Sequence, residues 1–478
     1  MQQISRNYIG GQWRDSTGNR TRQVTEAATG AVIAEVGLAS VADAQAAVEA
    51  ARQAAEGWAA TPPQQRADYI AAIGAGIKER AEAIAGDIAR EVGMPIKLAN
   101  RIQLGLPIMA WEAYARHAVA FAWQEEVGNS LVQRVPAGVV VAITPWNYPL
   151  HQISAKVAAA LAAGCTVVLK PADMAPLSAL ALAEIIDAAG LPAGVFNLVV
   201  GSGSEIGDTL VCHPEVDVVS FTGSTAIGSH IAALAARSVK KVSLELGGKS
   251  AAIILDGADL AQATKATLAS CFLNSGQTCT AITRLLVPSK HYATVAALAA
   301  EMAASTVVGN PLDAATRMGP LVSAQQRDTV VNYIKTGLAE GAELLAGGPD
   351  APEGLEAGFY VRPTVLGRVD PGSTLGQEEI FGPVLVIIAY EDEDQAVAIA
   401  NGVPYGLAGA VWADSDERAL AVAQRMRAGQ IDVNGAPFNL QAPFGGFGQS
   451  GVGRENGRYG MEEFVELRSI QMPRRAPA

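Results

Sequence analysis

The chain has 478 residues, half of them hydrophobic and 17% charged, with 35 Lys and Arg against 47 Asp and Glu. That apolar content supplies a large buried core and excludes a disordered chain, while a net charge of −12 argues against a nucleic-acid or anionic-membrane surface, which needs clustered Lys and Arg. Four scattered cysteines exclude a disulfide framework, no CxxC or Cys/His cluster suggests a metal, and no apolar run reaches the roughly 20 residues of a membrane span, so a soluble, cytoplasmic protein of two or three domains is expected.

The opening MQQISRNYIGGQW lacks the apolar core of a signal peptide, and the first forty residues read as short strands broken at Gly10-Gly11 and Thr29-Gly30. Ala-rich helices follow over Asp43–Glu56, Pro62–Arg80 and Ala81–Val92. From Val135 to Glu245, β-branched runs at Val139–Ile143, Thr166–Leu169, Phe196–Val199, Val216–Phe221 and Lys241–Leu244 alternate with helical stretches at Gln152–Ala163, Ser178–Ala189, Glu205–Leu210 and Ile227–Ala236. Near-continuous apolar strands separated by helices predict an α/β fold with a parallel sheet covered on both faces, whose ligand sits at the carboxyl ends of the strands. A second α/β alternation predicts strands at Ala251–Leu255, Arg284–Val287 and Val384–Tyr390 with helices at Leu260–Phe272 and Ala324–Glu340. Ala346–Gly358 reads as a surface loop and Gly457–Ile470 as a terminal strand.

The polar residues at the predicted strand ends carry the candidate chemistry. Cys279, within Asn-Ser-Gly-Gln-Thr-Cys-Thr, differs from the other three cysteines in having small polar neighbours, the composition of an accessible turn whose backbone N–H groups stabilise a thiolate or an oxyanion. Glu245 ends a strand before Leu-Gly-Gly-Lys; it is either a general base raised by burial or the partner of Lys249 in a structural ion pair. In Thr144-Pro145-Trp146-Asn147-Tyr148-Pro149 two prolines fix the backbone, which suits an Asn amide donating to an oxyanion, or a structural turn around a packed Trp. Gly201-Ser-Gly203-Ser-Glu-Ile-Gly207 has a GxGxxxG spacing one residue longer than the dinucleotide fingerprint. Phe221-Thr222-Gly223-Ser224 leads a strand into a helix whose N-terminus suits phosphate, and Lys170 with Asp173 is either a ribose-binding or a surface pair. The acids of Glu378-Glu379-Ile380-Phe381-Gly382-Pro383 lack companions for a metal.

Taken together, PWN, FTGS, ELGGK, GQTC, EEIFGP and PFGG, in that order and with 34 residues (279 − 245) from Glu245 to Cys279, resemble the aldehyde dehydrogenase superfamily over essentially the whole chain. EEVGNSLVQR followed by NSGQTCTA is similar to bacterial general-purpose, hydrolytic members. The resemblance implies a Rossmann-like NAD-binding domain (1–117 and 137–246), a second α/β catalytic domain (247–452) and a small β oligomerisation flap (118–136 and 453–478) in a homodimer or homotetramer. It implies Cys279 as nucleophile forming a thiohemiacetal and then a thioester, Asn147 as oxyanion donor, Glu245 as hydrolytic base, and Lys156 and Glu455 as proton-relay partners. For the cofactor it implies Thr144, Pro145, Trp146, Lys170, Asp173, Gly203, Gly207, Phe221, Thr222, Gly223, Ser224, Ile227, Leu246, Gly247, Glu379 and Phe381. Asp173 stands where many NAD-preferring relatives carry Glu; NAD is favoured and NADP is tolerable. Ala155 and Leu273 replace aromatic residues common in relatives, which predicts a wider substrate funnel lined by Tyr148, His151, Gln152, Leu273, Phe438 and Phe444, with His151 given no catalytic role.

The expected activity is therefore NAD-dependent oxidation of an aliphatic or simple aromatic aldehyde to a carboxylic acid. Three alternatives differ in observable ways. A CoA-acylating enzyme commonly lacks the base that Glu245 provides; a non-catalytic scaffold has no need of Cys279, Glu245 and Asn147 together; a cofactor-free cysteine hydrolase leaves the ribose and pyrophosphate residues without a purpose.

Overall fold

Every position of Val139–Ile143, Thr166–Lys170 and Val218–Thr222 is buried, as strands covered on both faces must be. In the computed structural model, which describes residues 2–473, these strands form the centre of an eight-stranded sheet. Lys241–Glu245, Val218–Thr222, Val139–Ile143, Thr166–Lys170 and Phe196–Leu198 run parallel in that spatial order. Antiparallel strands Arg6–Ile9 and Gln12–Asp15 extend one edge, and Gly451–Val452 closes the other. Alternate residues divide between two cores: Val140 and Ala142 pack with helix Pro149–Ala163, whereas Val139, Val141 and Ile143 face helices Val41–Ala60 and Thr225–Ala236.

The chain leaves Val139–Ile143 to build the sheet in one direction and returns to its other side with Val218–Thr222. The order of strands therefore reverses between these two, and the crevice beyond their carboxyl ends is the natural ligand site. Thr144–Asn147 and Gly223-Ser224 flank it.

A second, seven-stranded sheet runs in the order Glu343–Ala346, Thr364–Gly367, Val384–Tyr390, Ile282–Pro288, Ser250–Ile254, Ala408–Trp412 and Gln430–Val433, parallel except for its first member. A third sheet, antiparallel, joins Gln124–Val127, Ser130–Pro136 and Val465–Gln471. Among the described residues no helix is long and apolar enough to cross a membrane.

The strands and helices of the first sheet fall within a few residues of the sequence-based expectation. The terminal element differs. Gly457–Glu462 is a helix and only Val465–Gln471 is a strand, so the expectation of a strand from Gly457 is corrected. Two glycines weaken that helix, but it docks so closely that a Cβ on Gly460 would lie 2.7 Å from Tyr114 Oη, so packing overrides propensity. Likewise Glu205–Leu210 is divided into a π-helical turn, Gly203–Gly207, and a short α-helix, Asp208–Cys212. Residues 474–478 of the expected flap lie outside the described residues.

Leu169 is fully buried in the central sheet. Leu169→Ala is expected to lower the unfolding free energy by about 2–5 kcal/mol, read as a lower denaturant midpoint with an unchanged slope.

Candidate active site

Helix Leu260–Cys271 gives way to a tight turn in which Asn274, Ser275 and Gly276 all have positive φ. Gly276 is required twice over, by its φ of 75° and by the Gly382 carbonyl oxygen, which lies 2.0 Å from where a Cβ would sit. This turn delivers Cys279, partly exposed, just before strand Ile282–Pro288. Burial, reinforced by the carboxyl groups of Glu379 and Glu245, pushes its thiol up to about 12.

Asn147 follows the first central strand and is buried. Its Nδ2 donates to the Gln277 carbonyl at 2.9 Å, leaving its second N–H uncommitted in that geometry. Its own backbone carbonyl accepts from Asn274 Nδ2 at 3.0 Å and from Gln103 Nε2 at 3.4 Å. Gln103 is fully buried on a π-helical turn, Ala99–Gly105, and its Oε1 accepts from the His151 backbone N–H at 3.2 Å. Tyr148 Oη meets Thr278 Oγ1 at 2.7 Å, a second tie between this turn and the nucleophile segment. Sequence reading overlooked Gln103, Asn274 and Gln277 as individual contributors. The latter two lie inside the quoted nucleophile motif, whereas Gln103 is 44 residues from Asn147 and carries no local signal.

Glu245 ends strand Lys241–Glu245, its backbone carbonyl accepting from the Gly223 N–H at 3.0 Å. The side chain is buried, and among the described residues neither carboxyl oxygen has a hydrogen-bond partner. Burial first, then the nearby Glu455 carboxyl, hold it well above the usual carboxylate range, with Lys156 opposing. Lys156 Nζ donates to Glu455 Oε1 at 2.5 Å, so the two residues expected to form a relay are brought together beside Glu245. The alternative ion pair of Glu245 with Lys249 does not form: Lys249 Nζ is buried without a partner among the described residues, and burial brings it down to about 7.

The residues expected at the cofactor gather along the carboxyl edge of the first sheet. Lys170 is buried, its Nζ donating only to the adjacent Pro171 carbonyl at 3.2 Å, and Asp173 lies partly exposed within its electrostatic reach. Ser224 Oγ caps helix Thr225–Ala236 by accepting from the Ile227 N–H at 3.4 Å, and Ile227 itself is exposed. Gly203 and Gly207 face open space, whereas Phe221 lies in the core beneath Gly223. Thr222 Oγ1 donates to Gln152 Oε1 at 3.2 Å, Leu246 is buried beside helix Thr225–Ala236, and the Thr144 N–H donates to the Lys170 carbonyl. Glu379 Oε1 accepts from the Gly248 N–H at 3.2 Å, and a Cβ on Gly247 would sit 2.1 Å from its other oxygen. Burial pushes the Glu379 carboxyl up to about 7. Trp146, next to the partly buried Pro145, meets Phe381 edge-on with centroids 5.5 Å apart.

A cavity of about 550 Å³ opens over Cys279, and Tyr148, His151, Gln152, Leu273, Phe438 and Phe444, the six expected lining residues, all border it. Glu455 reaches the same space. Burial brings the His151 imidazole down to about 4, so it is neutral at physiological pH. The arrangement brings a thiol to a cavity that Glu455 also borders, with the buried Glu245 carboxyl within electrostatic reach of that thiol and the Asn147 amide tied to the segment that carries it.

The model of the aldehyde dehydrogenase family matches residues 13–470. The chain is 45% identical over 469 residues to a 3-succinoylsemialdehyde-pyridine dehydrogenase of a Pseudomonas species, covering 97% of each chain. It superposes with a TM-score of 0.97 and 45% identity on aldehyde dehydrogenase C of Pseudomonas syringae, a cysteine-to-alanine mutant in complex with NAD+ and octanal, over 98% of this chain and 96% of that one. An aldehyde dehydrogenase of Mycobacterium tuberculosis complexed with NAD+ gives a TM-score of 0.96 at 42% identity, covering 99% of both chains. A match of this extent, on a fold that carries the same motifs in the same order, shows that the chain belongs to the aldehyde dehydrogenase family.

Proposed function

We propose that the protein oxidises an aldehyde to a carboxylic acid with NAD and hydrolyses its own thioester intermediate. One observation carries this reading: Glu245, buried with both oxygens unpartnered, lies within electrostatic reach of Cys279 and of the Lys156–Glu455 pair. The chain's own residues suit the cofactor. Lys170 is a buried amine with a single carbonyl partner, Ser224 opens a twelve-residue helix, and Gly203 and Gly207 leave room beside it. Lys170 and Asp173 would hold the adenosine ribose, Ser224 the pyrophosphate, and Glu379 with Phe381 the nicotinamide half.

Glu245 and Cys279 each resist a negative charge while the other carries one. Passing the thiol proton to a Glu245 carboxylate therefore leaves the cluster with one negative charge, not two. The thiolate attacks the aldehyde carbon, and the free Asn147 N–H with the Cys279 backbone N–H stabilises the resulting alkoxide. NAD held by Lys170, Asp173, Ser224 and Glu379 would accept the hydride that this carbon loses, and Cys279 would keep the carbon as a thioester. Glu245 first releases the thiol's proton past Glu455 and Lys156 and, ionised again, takes a proton from water as its oxygen attacks the thioester carbon; the carbon–sulfur bond breaks, the acid leaves as the carboxylate and its own proton, and Glu245 returns its proton to the Cys279 thiolate. The octanal held by the Pseudomonas syringae enzyme, and the aromatic semialdehyde in the name of the 45% identical relative, support an aliphatic or simple aromatic substrate. The antiparallel sheet, with Leu467 exposed on its outer strand, suits the pairing of subunits in a homo-oligomer.

The direct test is NADH formation from aldehydes with and without CoA. Turnover that needs no CoA is expected, and a strict CoA requirement would place the protein in the acylating branch. In Glu245→Gln, steady-state turnover is expected to fall about a hundredfold or more, while the first equivalent of NADH still forms rapidly. Equal slowing of both phases would remove Glu245 from hydrolysis. Because a raised carboxyl acts as base only after ionising, hydrolysis by the native enzyme should accelerate as pH rises above the ordinary carboxylate range, and Glu245→Gln should flatten that rise. Asp173→Ser removes the charge set to repel a 2′-phosphate. The ratio of NADP to NAD use, from kcat/KM, is expected to rise about tenfold, and an unchanged ratio would place cofactor selection elsewhere.

A further inference from the structure

The cavity over Cys279 is not uniformly apolar. Ile102, Leu106, Phe438 and Phe444 give it hydrophobic walls, but strand Gln430–Val433 adds something different. Along that strand Ile431 and Val433 pack on the core of the second sheet, while Gln430 and Asp432 alternate to the other face and border the cavity. Asp432 is only partly exposed. Its Oδ1 accepts from Gln430 Nε2 at 3.2 Å, and among the described residues no cation pairs with it and no donor reaches Oδ2. Burial raises its carboxyl above the ordinary aspartate value, the signature of a polar group short of solvation. A carboxylate in this position gains most from a ligand that brings a donor, because a charged hydrogen bond made away from water is worth more than one exchanged with it. The cavity's other free charge, Arg101, stands on the helical side and is exposed, so water competes for it.

We propose that Asp432 forms a polar subsite in the aldehyde cavity and selects substrates that carry a hydrogen-bond donor, a hydroxyl or an ammonium group, on the part of the molecule away from the aldehyde. This rests on the reading that the cavity receives the aldehyde. It adds that the preferred substrates are functionalised, not plain hydrocarbons.

The test uses the full-length enzyme with NAD and rigid benzaldehydes substituted at the meta or para position, which cannot cyclise. Hydroxymethyl is compared with ethyl, dimethylaminomethyl with isobutyl, and a carboxylate serves as the opposite charge. At least one donor-bearing aldehyde is expected to exceed its alkyl counterpart about tenfold in kcat/KM, chiefly through KM, and the two arms distinguish hydroxyl from ammonium recognition. In both Asp432→Asn, which keeps the shape, and Asp432→Leu, that ratio is expected to fall to about one. Equal efficiency across the native series, or a ratio retained in both variants, would overturn the subsite. So would a preference for the carboxylate, which would assign recognition to Arg101. Uniform oxidation of the whole series would leave the aldehyde reading standing and refute only Asp432. Absence of NADH with every member would refute the aldehyde reading and the subsite with it.

Discussion

The backbone carbonyl of Asn147 is the point on which the site's geometry hangs. It accepts from Gln103 on the helical side and from Asn274 in the nucleophile turn, while its side chain donates to Gln277 in that same turn. Three segments distant in sequence are thereby joined at one residue. Gln277 continues the network, its Nε2 donating to the Asn274 carbonyl and its Oε1 accepting from the Val322 N–H. Buried amides linked in this way reinforce one another in low dielectric and hold a single arrangement. The remaining Asn147 N–H is consequently held in place by the fold, which is what the proposed oxyanion role requires. The π-helical turn that carries Gln103 also places Arg101 and Ile102 on the cavity wall, so the support of the Asn147 carbonyl and the cavity wall share one local distortion.

The electrostatics of the site run against stability. Glu379, Glu245 and Glu455 all act on Cys279, and Lys156, which opposes the shift of Glu245, is already engaged by Glu455. A fold selected only to be stable would neutralise or solvate these acids, because an unpartnered buried carboxyl costs several kcal/mol when charged. Here the consequence is a thiol and a carboxyl both displaced upward, each sensitive to the other's proton. That is the condition for groups that exchange protons during a reaction, and it distinguishes this cluster from Arg284, also buried, whose guanidinium is absorbed by the carbonyls of Lys249, Ile399 and Ala400.

How much of this was legible in the sequence depended on the range of the interactions. Val139–Ile143 and Thr166–Lys170 could be read because burial on both faces demands an uninterrupted apolar run. Ala408–Trp412 and Gln430–Val433 escaped notice because the first is rich in small residues and the second presents Gln430 and Asp432 to a cavity, so neither shows the pattern of a central strand. The same holds for side chains. Cys279, Glu245 and Asn147 sit in short motifs whose composition is unusual for their surroundings, whereas Gln103 matters only through partners 44 and 48 positions away. The helix Gly457–Glu462 was concealed by its glycines, which make close contacts, Gly457 with the Gln441 carbonyl and Gly460 with Tyr114, that no local pattern encodes.

The convergence of Glu245, Cys279 and Glu379 follows from how the two sheets are joined. Lys241–Glu245 is the last parallel strand of one and Ser250–Ile254 lies near the centre of the other, with four residues between them. That connection has no space for side chains at its middle: a Cβ on Gly247 would strike the Glu379 carboxyl, and one on Gly248 would lie 2.8 Å from the Cys279 carbonyl oxygen. The glycine pair thus lets Glu379 approach from one side and the nucleophile backbone from the other, immediately after Glu245. A longer or bulkier junction would keep both sheets intact yet separate the three groups, since nothing in either sheet alone brings Glu245 to Cys279. The catalytic geometry is a property of this seam, and the sheets on either side serve to hold it still.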